Sequence, residues 1–212
     1  IGTMAESVGS ALNTNPEYSN IIMPPLIHLW QIIPDTDRGL TSLLECLAAM
    51  ALSLGKRFVD MGLPVYTRCL RLIEQTLLEE AADPYSADKE FIICSLDLLA
   101  ALAEGLEEVM MQIICAYHNQ PGQKHHLPEL LFHCMQDAHS DVRQSTFAFL
   151  GDLSKNCFDV FRDSIPNYMP LMLKNLDPEV SSYSVANNVC WSLGEIAVRY
   201  GNEGISVSIV LL

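Results

Sequence analysis

Four segments of this chain follow one plan, and their recurrence restricts the fold more than any other feature. LLECLAAMALSLG (43–55), SLDLLAALAEGL (95–106), STFAFLGDLSKNCF (145–158) and NVCWSLGEIAVRYG (188–201) are apolar and rich in small residues. Each follows a longer first helix and a short turn that often holds Asp or Pro. A shortened fifth copy, GTMAESVG (2–9), opens the chain. The period is about 40 residues, extended twice by a longer linker, which is the spacing of two-helix HEAT or armadillo units. One such pair cannot bury its own apolar stripes; stacked neighbours bury them for each other. The sequence therefore predicts an all-α solenoid of stacked HEAT repeats in a right-handed superhelix. A compact helical bundle has no need of such a period.

Apolar residues recurring at three and four place helices at 2–12, 16–33, 37–54, 57–80, 87–106, 107–118, 127–137, 140–156, 158–176 and 179–200. Turn chemistry separates them, for instance Pro34-Asp35-Thr36-Asp37, Asp83-Pro84-Tyr85, Pro121-Gly122 and Asp177-Pro178. Only 205–212 alternates like a strand. The units read as 1–13 (cut), 14–55, 56–106, 107–157 with a polar loop at 118–126, and 158–201, followed by a divergent tail at 202–212. Ile1 sits inside an expected helix, so the chain reads as part of something longer.

Charge narrows the partners. Twelve Lys and Arg stand against 26 Asp and Glu, a formal charge of −14. Phosphate binding wants a basic footprint, so neither nucleic acid nor an anionic membrane surface is expected, whereas a basic peptide suits this surface. No uninterrupted apolar run reaches the 18 or so residues of a bilayer span. The seven cysteines contain no Cys-x-x-Cys pair and mostly sit among apolar neighbours, which predicts reduced, mostly buried thiols in a cytosolic or nuclear protein. His118, His125, His126, His133 and Cys134 cluster in sequence, but without ligand spacing, so no metal or other cofactor is expected. No phosphate loop, Gly-x-Ser-x-Gly or His-Glu-x-x-His is present, and no catalytic residue is assigned.

The helix faces carry the functional signal. Val189, Leu193, Ile196 and Tyr200 form one stripe that should face the core. Trp191 points away from it, with Asn187 and Glu195 four residues to either side on its own face. Two uses of Trp191 fit this pattern: packing against the neighbouring repeat, or an aromatic contact on an open groove. Asp97 lies opposite the stripe Ser95, Leu99, Leu102 and Leu106, with Ile93 on its side. Asp152 lies opposite Leu150 and Leu153, Glu45 opposite Leu43 and Leu47, and Glu6 takes the same place in the cut repeat. Acids repeated in one phase on successive helices would form a line of negative potential that attracts Lys and Arg.

ANNVCWSLGEIAV (186–198), FAFLGDLSKNCF (147–158), VRQSTFA (142–148), LDLLAALAEGL (96–106), LLECLAAMALSLG (43–55) and PEYSNIIMPPLIHLW (16–30) resemble the transportins, the karyopherin-β2 nuclear import receptors, over residues 2 to 201. The resemblance is to a portion of the C-terminal half of that HEAT superhelix. It implies a receptor shuttling between cytoplasm and nucleus, which carries cargo proteins by a proline-tyrosine-type localisation signal laid along the second helices. It also implies cargo release by Ran-GTP at an N-terminal arch, outside this chain. Trp191, Asp152, Asp97, Ile93, Glu45 and Asn187 match positions that touch the signal, and Glu6 stands where the family usually has Asp. The family's pocket for the proline-tyrosine end lies upstream. What this chain would hold is the basic or hydrophobic N-terminal part of the signal. The family's connection between Leu106 and Leu127 is shorter, and NEGISVSIVLL after Gly201 diverges from it. Pro84-Tyr85 is turn chemistry rather than a signal, its closest upstream arginine being Arg71. The runner-up function is a HEAT or armadillo scaffold subunit that binds another protein. An enzyme would need an acid-base pair that the chain does not supply.

Overall fold

The computed structural model describes residues 12, 16–83, 85–122 and 126–202. Glu6, the helix expected at 2–12 apart from Leu12, Pro84 and the alternating tail at 205–212 lie outside the described residues. Among the described residues every regular element is helical: α1 (Pro16–Ile32), α2 (Gly39–Leu54), α3 (Val59–Ala82), α4 (Glu90–Leu106), α5 (Val109–His118), α6 (Leu127–Cys134), α7 (Ser140–Asn156), α8 (Ile165–Lys174) and α9 (Tyr183–Asn202). The 3₁₀ turns are Gly55–Phe58, Phe158–Val160 and Arg162–Ser164.

The four recurring segments are α2, α4, α7 and α9, and they pack successively against one another in one layer. A second layer backs them: α1 packs on α2, α3 on α4 and α6 on α7, while α3 also touches α5 and α6. This is a stack of helix pairs, the HEAT solenoid. The two layers differ in their prolines. Pro24 and Pro25 of α1, Pro64 of α3 and Pro170 of α8 interrupt outer helices, and all four are exposed. The inner layer has none. A proline frees a carbonyl, which water can satisfy on an outer helix but not between two packed neighbours.

Small residues set the spacing of the inner layer. A Cβ on Gly105 of α4 would fall 2.6 Å from the Ala51 carbonyl oxygen of α2, so the two backbones meet with no side chain between them. Ser95, Leu99, Leu102 and Leu106 are fully buried. In α9 the buried stripe is Val185, Val189, Ser192 and Ile196, with Leu193 and Tyr200 half-buried beside it. The Tyr200 ring meets Phe158 edge-on at 5.3 Å.

One device recurs at the turn of each pair. The Oδ1 atoms of Asp37, Asp88, Asp137 and Asp177 accept the N–H two residues on, from Gly39, Glu90, His139 and Glu179, at 2.8, 3.3, 2.8 and 2.9 Å. Cations at the inner-helix starts then reach the next turn. Arg38 Nε donates to Asp88 at 2.8 Å, Lys89 Nζ to Asp137 at 2.6 Å, and Arg143 Nε to Asn175 at 3.0 Å. The repeats are thus tied along one edge as well as through the core. Deeper in, Arg68 of α3 is buried against the Trp30 ring and donates to the Trp30 carbonyl and to Asp35, anchoring the end of α1.

Several boundaries differ from the sequence reading. The helix expected over 158–176 is two 3₁₀ turns followed by α8, because Pro166 must sit in the first helical turn. The helix expected from 179 begins at Tyr183, where the Ser182 hydroxyl accepts the Val185 N–H. The helix expected over 127–137 ends at Cys134, ahead of the Asp137 turn. By composition Gly39–Ala82 holds a window apolar enough to cross a bilayer, but half of it is buried and Gly55 breaks it, at φ 54°. The seven thiols are unpaired: Cys69, Cys94, Cys134 and Cys157 are buried and Cys46 is half-buried. Cys115 and Cys190, expected on apolar stripes, are exposed instead.

Candidate functional site

The inner layer presents two groups of acids and an indole. In the first group, Glu45 comes from α2 and Glu90 and Asp97 from α4, all exposed. Their fields meet on shared neighbours. Burial pushes the Cys94 thiol up to about 12, and Glu45, Glu90 and Asp97 add to it. Asp97 is itself held above the usual carboxylate range. The dense protein behind it is the main cause, opposed by the Ser145 hydroxyl of α7 and reinforced by Glu45 and Glu90. Ile93, one turn before Asp97, is half-buried against the core beside these acids.

The second group spans α4, α7 and α9. Asp152 is pushed up to about 6, first by burial, with Lys155 opposing and Glu104 and Glu195 adding to the rise. The sequence placed Asp152 on an exposed line. In the structure it is only 6% exposed, with the Lys155 ammonium against it and the Trp191 ring seated on the adjacent Gly151. Lys155 Nζ lies 3.0 Å from Asp152 Oδ1 and 4.8 Å from the centroid of the Trp191 ring. The ring rests on the backbone of Gly151, where a Cβ would fall 2.4 Å from Cζ3. Trp191 is half-buried: it packs on the neighbouring repeat and keeps a share of its surface open. Asn187 is exposed one turn before it, and the adjacent Asn188 fastens α9 to α7 by donating to the Gln144 carbonyl at 3.0 Å.

The sequence reading missed Glu90, Glu104 and Lys155 as members of this face. The two glutamates lie seven residues before and after Asp97, two helical turns each way, so they share its side of α4. Among the described residues no ion pair forms at Glu45, Glu90, Asp97, Glu104 or Glu195, and no three His, Cys, Asp or Glu side chains gather to hold a metal ion. The arrangement suits non-covalent capture of cationic and apolar side chains: two groups of carboxylates on one layer of helices, and one aromatic face.

No family model matches the chain. Its similarity to whole proteins is decisive. It is 43% identical to Transportin-1 of Homo sapiens over 209 residues, an alignment covering 96% of this chain. The chain belongs to the transportin family. Transportin-1 of Oryza sativa is 39% identical, and Importin subunit beta-2 of Schizosaccharomyces pombe is 31% identical, each across 96% of the chain. The chain spans 22% of the length of these transportin relatives. The all-helical stack of pairs is the architecture that the family resemblance implied.

Proposed function

We propose that this transportin segment contributes to nuclear import by receiving an extended, basic or apolar stretch of a cargo protein's proline-tyrosine-type signal on the face made by α2, α4, α7 and α9. On this reading Glu45 and Asp97 attract the basic residues, Trp191 supplies the apolar anchor, and Ile93 and Asn187 border the path, with Glu6 extending it. Asp152 serves from a buried position, through Lys155 and the ring. Ran-GTP would act on other parts of the receptor, and the receptor would move between cytoplasm and nucleus. The observation that carries this is the pair of acid groups on one layer of helices: Glu45, Glu90 and Asp97, which have no ion-pair partner among the described residues, and Glu104 and Glu195 around Asp152, where the half-open indole lies. Such groups lower the energy of a bound cation and steer its approach.

The test is a titration of the 212-residue chain with a labelled signal peptide, its scrambled form, and a form with every Lys and Arg changed to Gln, at two salt concentrations. The native peptide should bind tightest, and its advantage over the Gln form should shrink as salt shortens the Debye length. Trp191→Ala should cost roughly 2 kcal/mol or more of affinity, nearly independent of salt. Equal binding of native and Gln peptides would show that the acids read no charge. Preference for a folded partner over every extended peptide would favour a scaffold role.

A further inference from the structure

Trp191 and Asp152 form the kind of subsite that an incoming lysine or arginine seeks, a carboxylate beside an aromatic face. In this chain that subsite is already filled. Lys155 lies one turn after Asp152 on the same helix, with its ammonium 3.0 Å from the carboxylate and 4.8 Å from the ring centroid. It is tethered to its partners, so its effective concentration there exceeds that of any cargo residue. Its side chain is about one-third exposed, so the resident cation stands at the surface where a cargo side chain would arrive. The first acid group is different: Glu45, Glu90 and Asp97 have no ion-pair partner among the described residues.

We infer that Lys155 is a specificity-determining residue: by occupying the Asp152–Trp191 subsite it turns the α7–α9 end of the face toward apolar cargo side chains and leaves the α2–α4 end to basic ones. This rests on the groove reading above. A cargo lysine or arginine arriving at Trp191 meets a resident cation and must displace it from both carboxylate and ring. A leucine or methionine arriving there lies on the ring and on the Lys155 stem, with nothing to displace. The face is therefore polar in sequence direction, one end for charge and the other for apolar contact, and the switch between them is a single amine.

The experiment uses the 212-residue chain, its Lys155→Met form, and two capped nine-residue peptides differing only at the central position, Arg in one and Leu in the other. Binding is read from the indole N–H resonance of Trp191, which Trp191→Phe distinguishes from that of Trp30, the second of the two tryptophans. In the wild-type chain the Leu peptide should bind more tightly at Trp191 than the Arg peptide. Lys155→Met keeps the stem and removes the charge; it should raise the affinity of the Arg peptide about tenfold and leave the Leu peptide nearly unchanged. Lys155→Arg should restore the wild-type order. If both peptides move the Trp191 resonance and their ratio is the same with and without the Lys155 amine, the role given to Lys155 is wrong while the groove stands. If neither peptide moves that resonance in any form, the groove and the role of Lys155 fall together.

Discussion

The six-membered ring of Trp191 lies over the Cα of Gly151, so that a Cβ there would sit 2.4 Å from Cζ3, 2.6 Å from Cε3 and 2.8 Å from Cη2. A mid-helix glycine replaced by alanine ordinarily gains about 1 kcal/mol. Here the methyl would have to push a rigid ring away from α7. Gly151→Ala should therefore lower the melting temperature, with a loss of about 1–3 kcal/mol from overpacking. In a Trp191→Ala background the same change should be neutral or stabilising, because the obstacle is gone. The double-mutant cycle gives the coupling between the two positions. A stabilising Gly151→Ala in the wild-type chain would mean that the ring is not seated on α7.

Asp152 gives the fold a pH dependence of defined sign. Its ordinary value is 3.8 and the folded chain holds it up at about 6, so the folded state binds the proton more tightly than the unfolded one. Its contribution to stability is fully present below the ordinary value and is lost as pH rises through about 6. Asp152→Asn removes the penalty of a buried carboxylate and should stabilise the chain at pH 7, by an amount on the order of 2 kcal/mol. The variant's melting temperature should exceed the wild-type value at pH 7 and converge on it near pH 4. Lys155, partly exposed, can turn its ammonium to water once the carboxylate is gone. A variant less stable than wild type at pH 7 would show that the ion pair outweighs the burial.

The ends of α2 and α4 share one backbone bend, and only one has the residue suited to it. Gly55 takes φ 54° and ψ −135° after α2, and Glu107 takes φ 51° and ψ −126° after α4. That region belongs to glycine, and a side chain there is strained by about 1 kcal/mol or more. Glu107→Gly should raise the melting temperature by a few degrees. The exposed ion pair lost with it is worth little, and Lys56 keeps Glu108 at 2.7 Å. Glu107→Ala, which loses the same charge and keeps the strained Cβ, should give no such gain; thermal melts of the two variants side by side decide it.

Why did the period show the architecture while the site was only partly legible? A second helix with an apolar stripe and small residues must pack on both neighbours, and Gly105 against Ala51 shows that requirement in atoms. Helical phase alone places Glu45 and Asp97 opposite the buried stripe, and there they are exposed. The same phase argument misplaced the Asp152 carboxylate. Phase says which way Asp152 points but not that the Trp191 ring of α9 seats on the adjacent Gly151 and the Lys155 ammonium closes over the carboxylate. Lys155 was legible as a neighbour of Asp152, three residues on, but its meeting with Trp191 was not, since that depends on how two helices 36 residues apart dock. Pro166 and Ser182 were readable stop and start signals in the sequence, and weighing them would have shortened the expected helices at 158–176 and 179–200.

Glu90 and Glu104 were legible too, at seven residues to either side of Asp97, and they supply the remaining test of the acidic face. If the face reads a basic segment by summed potential, no single acid dominates, and the exposed ones contribute about equally. Glu90→Gln, Asp97→Asn and Glu104→Gln should each weaken a basic signal peptide by less than 1 kcal/mol at low salt, because ion pairs of exposed groups are weak. The triple variant should lose more, and its deficit should vanish at high salt, where screening shortens the reach of every charge. None of the three should lower the melting temperature, and Glu90→Gln should lower the apparent pKa of Asp97 by removing a like charge beside it. Calorimetric titration at 50 and 500 mM salt separates the outcomes. A large, salt-independent loss from Glu104→Gln alone would place the cation at a discrete pocket beside Asp152 and Glu195, and would shift the basic end of the face from α2–α4 to α4–α9.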